Sequence, residues 1–311
     1  MIQKNLKSIS GLTLIEILIG IVVSSIMMAA IYTTYSIVNN TYGQVLDKAK
    51  VSKSSRDLIE VLIRDIRMSG FKYFLGQNDL GYPRDSYLEF VGGASAAEKS
   101  HDPIIIIQNE LGHAAIDETY SAISKHNPSD TCCDKIHIVY DDFNQHDDTQ
   151  PYKRYKLTYY AEPLDDGTKD GVTINPRYGI FKSKISWKQD IGVETGDWVA
   201  DCSECYEKEL IRDYVEDMEF VALDKEGVVL NPYPSTKTEA SRANLYKVRA
   251  VDIRLAFISE KPFFRFESRE GSERQLKGFS RTIRSFSDRY LRDNVVVTVY
   301  TRNIVGQDLF L

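Results

Sequence analysis

A chain of 311 residues is long enough to bury at least one sizeable hydrophobic core. Its composition is that of an ordinary globular protein, with 42% hydrophobic and 27% charged residues. The formal net charge of -6 at pH 7 argues against a chain that coats nucleic acid. The apolar residues are unevenly distributed, because the longest apolar run lies near the N-terminus, between Leu12 and Ile31.

The N-terminal segment predicts a helix that crosses a membrane. A short leader carries Lys4 and Lys7 as its only charges, and it is followed by an apolar run, Leu12 to Ile31, that contains no proline and one ionisable side chain, Glu16. As a helix this run would be ~30 Å long, about the thickness of the hydrocarbon core of a bilayer. Because basic residues stay on the cytoplasmic side, we expect the N-terminus inside and the rest of the chain outside.

Glu16 separates two interpretations of this segment. A secretory signal peptide would be cut after the apolar run, at small residues such as Ala29 and Ala30. A carboxylate costs roughly 2.5 to 3.5 kcal/mol at the centre of a bilayer, and a signal peptide gains nothing from it. A charge that snorkels to the headgroups would be tolerated. The residues around Glu16 decide between these interpretations.

The sequence from Gly11 to Glu16, Gly-Leu-Thr-Leu-Ile-Glu, resembles the processing motif of the type IV prepilin family, with Leu12 in place of the commoner Phe. The resemblance implies that prepilin peptidase cuts between Gly11 and Leu12 on the cytoplasmic side and methylates the new N-terminus. It also implies an assembly role for Glu16, which would pair with the free amine of a neighbouring subunit. Opposite charges buried together attract strongly, whereas either one alone is costly.

Helical periodicity continues beyond the membrane boundary. An apolar stripe at helical spacing consists of Ile59, Leu62, Ile63 and Ile66. Gly70 is the expected stop, since glycine commonly follows the last helical residue. A helix from about Leu12 to about Met68 would be ~85 Å long. We therefore expect its outer half to lie against a domain.

After Gly70 the pattern changes to short β-branched runs with a period of two. The predicted strands are Ile104–Ile107, Lys135–Tyr140, Tyr155–Tyr160, Ile180–Ser186, Val248–Ile258 and Val295–Tyr300. In the clearest of them Val251, Ile253, Leu255 and Phe257 point inward, and Asp252 and Arg254 point outward to a wet face. Turn residues predict loops at 76–103, 141–153 and 224–244.

These elements predict an α+β protein. The resemblance implies the type IV pilin fold, in which a long N-terminal α-helix packs on an antiparallel β-sheet domain. The expected divisions are a leader at 1–11, a transmembrane and assembly helix at 12–32, an amphipathic continuation of the helix at 33–70, and an exported β-rich domain at 71–311.

Four internal segments resemble landmarks of PilW-type minor pilins, and they occur in the same order. They are Arg64–Phe71, Asp134–Tyr140, Leu210–Gly227 and Asp288–Asn303. The GspJ-type minor pseudopilins of type II secretion share this architecture but are usually shorter, which favours the PilW type. Ordinary sheet sequence is the alternative explanation of these segments.

The four cysteines form two close pairs, Cys132 with Cys133 and Cys202 with Cys205. An exported domain favours disulfides, and all four cysteines are candidates. A zinc site is the alternative, but adjacent cysteines do not have the two to four intervening residues usual between zinc ligands. Four cysteines allow three complete pairings, and the sequence leaves the pairing open.

Two acidic stretches could in principle hold a cation. Asp166 to Gly171 resembles a calcium loop, but Arg177 stands where a bidentate Glu is needed. Asp141 to Asp148 surrounds His146 with acids, and a polar loop is the plainer interpretation. We therefore predict no metal site.

A basic stretch, Glu260 to Arg292, contains nine Lys or Arg and five Asp or Glu with interspersed phenylalanines. Such a segment could grip single-stranded DNA through phosphate contacts and stacking. A loop that packs its rings on the domain and keeps its charges wet explains the same residues. We do not expect nucleic acid to be a partner.

The sequence lacks a nucleophile elbow, a phosphate loop and a His-x-x-x-His pair, so we expect neither enzymatic activity nor a cofactor. The resemblance implies a minor pilin that takes part in the assembly and priming of a type IV pilus. Its implied partners are prepilin peptidase, other minor pilins and the major pilin, the inner-membrane assembly platform and a tip adhesin. The inner membrane would hold the single-pass chain before it enters the filament. The alternatives are a minor pseudopilin of type II secretion and a pilin that serves DNA uptake or binds an adhesin.

Overall fold

The computed structural model describes most of the chain, in twelve ranges. These are residues 13–71, 102–108, 132–143, 152–164, 168–169, 172–173, 177–189, 196–231, 243–264, 266–269, 271–279 and 283–304. The chain divides into two compact units, Met1–Ala49 and Lys50–Leu311. The expected loop at 76–103 lies almost wholly outside the described residues.

A single long helix, α1, runs from Leu14 to Met68. Its residues up to Ala49 belong to the first unit, where nearly every side chain is exposed. Its last turns belong to the second unit and pack in the main core, where Leu58, Leu62 and Ile66 are buried. The predicted stripe is therefore found in the core, with Ile63 only partly buried.

The described part of the second unit contains twelve strands and one short 3-10 helix, Leu245–Lys247. The strands are β1 (Ile104–Ile107), β2 (Lys135–Phe143), β3 (Tyr152–Pro163), β4 (Thr168–Lys169), β5 (Val172–Thr173), β6 (Tyr178–Gln189), β7 (Gly196–Val199), β8 (Tyr206–Leu223), β9 (Ala250–Ile258), β10 (Arg274–Leu276), β11 (Arg284–Phe286) and β12 (Arg292–Tyr300). All six predicted strands are present. β2 and β3 extend into the expected loop at 141–153, and the strands that were not predicted are β4, β5, β7, β8, β10 and β11.

Eight of these strands form one antiparallel sheet in the order β1-β2-β3-β6-β8-β9-β12, with β7 paired to β6 beside the start of β8. Two small hairpins, β4-β5 and β10-β11, lie outside it. One face of the large sheet packs against the end of α1 and forms the main core. The expected α+β class, one long N-terminal helix and an antiparallel sheet domain, is confirmed.

The opposite face of the sheet is more buried than the sequence predicts. The inward set of β9 is buried as expected, but Arg254, predicted to face water, is only 2% exposed. Its neighbour Ala256 packs with Leu276 of β10 and Phe286 of β11 in a second small core. The prediction for Arg254 was wrong because the segment between β9 and β12 folds back over this face, which periodicity within β9 does not reveal.

The end of α1 is fixed by contacts from distant parts of the chain. Gly70 has a φ of 73°, and a Cβ there would lie 3.1 Å from Cγ1 of Ile304 and 3.2 Å from Cβ of Pro103. Glycine is the residue that adopts this left-handed conformation without strain. Gly70 N donates to Val139 O of β2 (2.8 Å), and Asn303 Nδ2 donates to Arg67 O (2.9 Å). The predicted helix stop is therefore correct.

Candidate assembly site

The first turn of α1 is closed by a reciprocal contact between Thr13 and Glu16. The backbone N–H and the hydroxyl of Thr13 both donate to Oε2 of Glu16, at 2.9 Å each, and Glu16 N donates to Oγ1 of Thr13 at 3.4 Å. This is a capping box, in which the two side chains satisfy N–H groups left without helical acceptors. The carboxylate is thus oriented toward the N-terminal end of the helix, where the helix dipole favours negative charge.

Beyond Glu16 the helix presents apolar side chains on all sides. The segment has a mean hydropathy of 2.5 over its most apolar 18 residues, none of them buried. The hydroxyls within this segment are satisfied by the helix itself. Ser24 donates to Gly20 O at 2.7 Å, and Thr34 donates to Ala30 O at 2.8 Å. Polar groups satisfied in this way are compatible with a hydrocarbon environment, so the segment fits a membrane anchor.

The predicted processing residues Gly11 and Leu12 lie outside the described residues. Glu16, the predicted assembly residue, lies four positions beyond Leu12 and within the first helical turn that the structure describes. The structure does not test the assigned cut.

The two cysteine pairs are found at separate places in the sheet domain. Cys202 and Cys205 flank a turn between β7 and β8, with their Cα atoms 4.9 Å apart and their sulfurs at disulfide distance. Cys132 and Cys133 are both buried, and their sulfurs also lie at bonding distance. Of the pairings that the sequence leaves open, the structure brings together the cysteines within each pair. A site that uses all four thiolates does not form.

A β-bulge in β8 places two consecutive acids on one face of the sheet. Val215 pairs with Phe257 and Asp217 pairs with Ala256, so Glu216 is an extra residue in β8. An extra residue lets neighbours that would alternate between faces point the same way. Glu216 and Asp217 consequently both face arginines contributed by the strands that follow in the chain.

Asp217 and Glu219 bind Arg254 of the adjacent strand β9. Arg254 Nε lies 2.9 Å from Oε2 of Glu219, and its Nη2 contacts Oδ2 of Asp217. All three side chains are at least 98% buried. A buried guanidinium is tolerated because two carboxylates neutralise it and accept its hydrogen bonds.

Glu216 instead binds arginines from β11 and β12. Its carboxylate lies 3.5 Å from Nη1 of Arg284 and 3.4 Å from Nε of Arg292. Arg292 also forms a bidentate pair with Asp288, with both distances at 2.7 Å. Burial raises the pKa of Glu216, and the two arginines oppose this rise. The contact joins two segments that the sequence singles out, Leu210–Gly227 and Asp288–Asn303.

The other two segments are linked to these by hydrogen bonds. Asp134 N donates to Met218 O at 2.7 Å, and Asp134 Oδ2 accepts from Phe220 N at 2.9 Å. The segment Arg64–Phe71 meets the last segment through the hydrogen bond from Asn303 to Arg67. All four segments are therefore connected by direct contacts in the second unit. The residues that make these contacts have a structural role.

Asp65, near the end of α1, attaches the helix to the sheet. Its Oδ2 lies 2.7 Å from Nζ of Lys182 on β6 and accepts a short hydrogen bond from Tyr159 on β3. Burial and the Asp65 carboxylate raise the pKa of Tyr159. A phenol that stays protonated is a permanent donor, and together with the ammonium it neutralises the buried acid.

Several charged side chains and aromatic rings of the basic stretch make contacts within the domain. Arg284 and Arg292 bind Glu216, and Arg274 lies 3.6 Å from the ring centroid of Phe264. Phe286 is buried, while Phe266 is 71% exposed. Of the two interpretations of this stretch, packing on the domain accounts for the described contacts.

Among the described residues, one set of side chains has the spacing of a metal site. Ligand atoms of Cys132, Cys133 and Asp217 lie within 4.8 Å of one another. The two sulfurs are bonded to each other and Asp217 binds Arg254, so these donors are already in use. Of the acidic cluster, Asp141 binds Arg154 at 2.7 Å. His146 and the two acids of the calcium-loop-like stretch, Asp166 and Asp170, lie outside the described residues.

Comparison with known proteins identifies the N-terminal segment. Residues 6–32 match the family described as "Prokaryotic N-terminal methylation motif". Among solved structures the chain is similar to the type IV-like pilin TTHA1219 from Thermus thermophilus, with a TM-score of 0.37 and 10% sequence identity over 82% of this chain and 98% of that one. Among curated protein sequences none matches. The chain thus carries a prokaryotic N-terminal methylation motif, and this part of the resemblance to prepilins is confirmed.

The sequence did not reveal Thr13 as the partner of Glu16, nor the partners of Asp65. The contact between Thr13 and Glu16 had a signal in the local sequence, because Thr followed three residues later by Glu at the start of an apolar helix is the pattern of a capping box. The partners of Asp65 had no such local signal, since Tyr159 and Lys182 lie 94 and 117 positions away in the chain.

Proposed function

We propose that this chain is a PilW-like minor pilin that takes part in the assembly and priming of a type IV pilus. The observation that carries the proposal is the methylation motif at residues 6–32, with the Glu16 carboxylate held at the start of an exposed apolar helix. The chain would be cut between Gly11 and Leu12 by prepilin peptidase. The new N-terminus would then lie close to Glu16.

Assembly would exchange the lipid around the helix for the helices of neighbouring subunits. Its apolar surface passes from one apolar environment to another, so no large surface is exposed to water during the transfer. The carboxylate of Glu16 would bind the free amine of a neighbouring subunit, because either charge alone is costly in the bundle. The contact with Thr13 would hold the carboxylate until that amine arrives.

The processing step is tested by the mass of the N-terminus of the mature chain. We expect a chain that begins with methylated Leu12, and a chain with the leader attached when Gly11 is replaced by a bulky residue. A mature chain that begins at Met1, or after Ala29 or Ala30, would contradict the proposal, as would normal processing of the Gly11 variant.

The assembly step is tested by Glu16→Ala, with Ser24→Ala on the same exposed helix as the matched control. Glu16→Ala should insert into the membrane and lose its leader, yet it should not support piliation. Ser24→Ala should support piliation, because its hydroxyl bonds only within the helix. Normal piliation with Glu16→Ala would remove the role proposed for the carboxylate.

The minor-pilin assignment is supported by the four landmark segments and by the chain length. A strain that lacks the protein distinguishes it from a pseudopilin of a type II secretion system. We expect loss of pili with normal protein secretion. Loss of secretion with normal pili would favour the pseudopilin alternative.

A further inference from the structure

β12 is the last strand of the large sheet, and no described strand pairs with its outer edge. Just before β12, Ser259 N donates to Leu291 O at 2.8 Å. Just after it, Thr301 N donates to Arg249 O at 2.9 Å. Hydrogen bonds between antiparallel strands are made by every second residue. The odd-numbered residues of β12 therefore bond β9, and the even-numbered residues direct their backbone N–H and C=O groups away from β9, toward the outer edge of the sheet. The residues whose backbone groups point to the outer edge include Asn294, Val296, Thr298 and Tyr300.

Beyond Arg292 and Asp293 at its start, this edge lacks the features by which sheet edges usually avoid pairing. It contains neither lysine nor proline, and its nine pairs with β9 run without a register shift. Val296 is 51% and Tyr300 is 68% exposed, and Val295 and Val297 on the core face are only half buried. At the other end of the sheet all four β1 side chains are buried. Of the two end strands that the structure describes, β12 is therefore the one with exposed side chains.

We propose that β12 pairs with β12 of a second copy of this chain, antiparallel and about a two-fold axis at Val296. The sequence Asn294–Thr298 reads Asn-Val-Val-Val-Thr, so reversal about Val296 places valine on valine and Asn294 opposite Thr298 of the second copy. Like charges do not meet in this register, because Arg292 faces Tyr300 and Asp293 faces Val299. One patch serves both copies, as a two-fold interface requires.

The pairing would give partners to the backbone groups at the edge of the strand and would cover side chains on both of its faces. The N–H of Asn294 already donates to Asp293 Oδ1 at 3.1 Å, and the other N–H and C=O groups on the outer edge gain protein partners. The β-branched side chains form favourable cross-strand pairs. The added strand also covers Val296 on one face and the half-buried Val295 and Val297 on the other. The proposal uses only the second unit and does not depend on the function of the N-terminal helix.

The first test is crosslinking of Val296→Cys in the full-length chain in detergent, with a short bifunctional thiol reagent. The matched control is Val228→Cys, whose side chain is 59% exposed in the turn after β8, away from the edge. We expect a crosslinked dimer from Val296→Cys and only background from Val228→Cys. Equal yields from the two variants would overturn the proposal.

The second test is Val296→Pro. Proline removes an N–H that points outward rather than toward β9, so the strand can stay paired within its own sheet. We expect native tryptophan fluorescence and a dimer dissociation constant raised at least ~10-fold, equivalent to 1.4 kcal/mol. A folded Val296→Pro chain that dimerises normally would show that the copies meet elsewhere, for example through the N-terminal helix, and would overturn the proposal.

The register is tested with a mixture of Asn294→Cys and Thr298→Cys chains. In the proposed register these two positions face each other across the axis, so the mixture should crosslink severalfold more than either variant alone. Crosslinking of each variant mainly to itself would indicate a parallel pair and would contradict the assigned two-fold arrangement.

Discussion

Asn303 closes the last turn of α1 from the far end of the chain, by donating its side-chain amide to Arg67 O at 2.9 Å across 236 positions. The last four carbonyls of a helix have no partner within the helix. Here the carbonyl of Arg67 is satisfied by Asn303, which lies three residues beyond the end of β12, and the adjacent Ile304 packs against Gly70. The helix end and the closing strand are therefore held together by the same few residues.

Replacing Asn303 by Ala should lower the unfolding free energy by ~1 kcal/mol, because one hydrogen bond to the helix end is lost. Both tryptophans of the chain, Trp187 and Trp198, lie in the sheet domain, so their fluorescence during urea denaturation reports on that domain. Arg302→Ala, a change at the exposed neighbouring residue, is the control and should change stability little. Equal effects from both variants would contradict the role of Asn303.

Asp65→Asn should destabilise the domain by ~3–5 kcal/mol, because it leaves the buried ammonium of Lys182 without its counter-charge. The double variant Asp65→Asn/Lys182→Met should recover part of this loss, since it removes both charges. Asp57→Asn, on an exposed position of the same helix, is the control. The measurement is a double-mutant cycle by urea denaturation, and additive losses would show that the pair is not coupled.

Lys156 should make the domain more stable as the pH rises above neutrality. Its ammonium lies 4.5 Å from the ring centroid of Trp198, and burial lowers its pKa from 10.5 to about 7. Between these values the unfolded chain holds a proton that the folded chain has released. Stability should therefore increase with pH, by at most ~1.4 kcal/mol per pH unit.

The variant Lys156→Met removes this titration. Urea denaturation at pH 7, 8 and 9 should give a flatter pH dependence for the variant than for the unaltered chain, and a more stable variant at pH 7. Parallel curves for the two proteins would show that Lys156 keeps its ordinary pKa.

Joining Cys202 to Cys205 should stabilise the domain, because it restrains the turn between β7 and β8 in the unfolded chain. Closing so short a loop is worth ~2 kcal/mol. We expect Cys202→Ser/Cys205→Ser to lose about this amount relative to the oxidised protein. Alkylation without reductant should label neither cysteine of the pair in the unaltered chain, and labelling of both would show that they are free thiols.

Periodicity located α1 and six of the twelve described strands, and two of its failures share one cause. It missed β8, whose first half carries charged residues on both faces and pairs with β6 alone. It placed Arg254 in water, because the hairpin of β10 and β11 that covers this face is formed by residues that follow it in the chain. In both cases the structure of the residues is set by contacts with other segments rather than by the spacing within one strand.

The sequence by itself determined the methylation motif, the long apolar helix with Glu16 at its start, the stop at Gly70 and six strands of the sheet. Each of these has a signal in residues that are close together in the chain, so composition and spacing report them directly. Only the tertiary structure decided which partners neutralise Asp65 and Arg254, which cysteines meet, and that no described strand pairs with the outer edge of β12. Those outcomes depend on strand order and register, which bring together residues far apart in the chain.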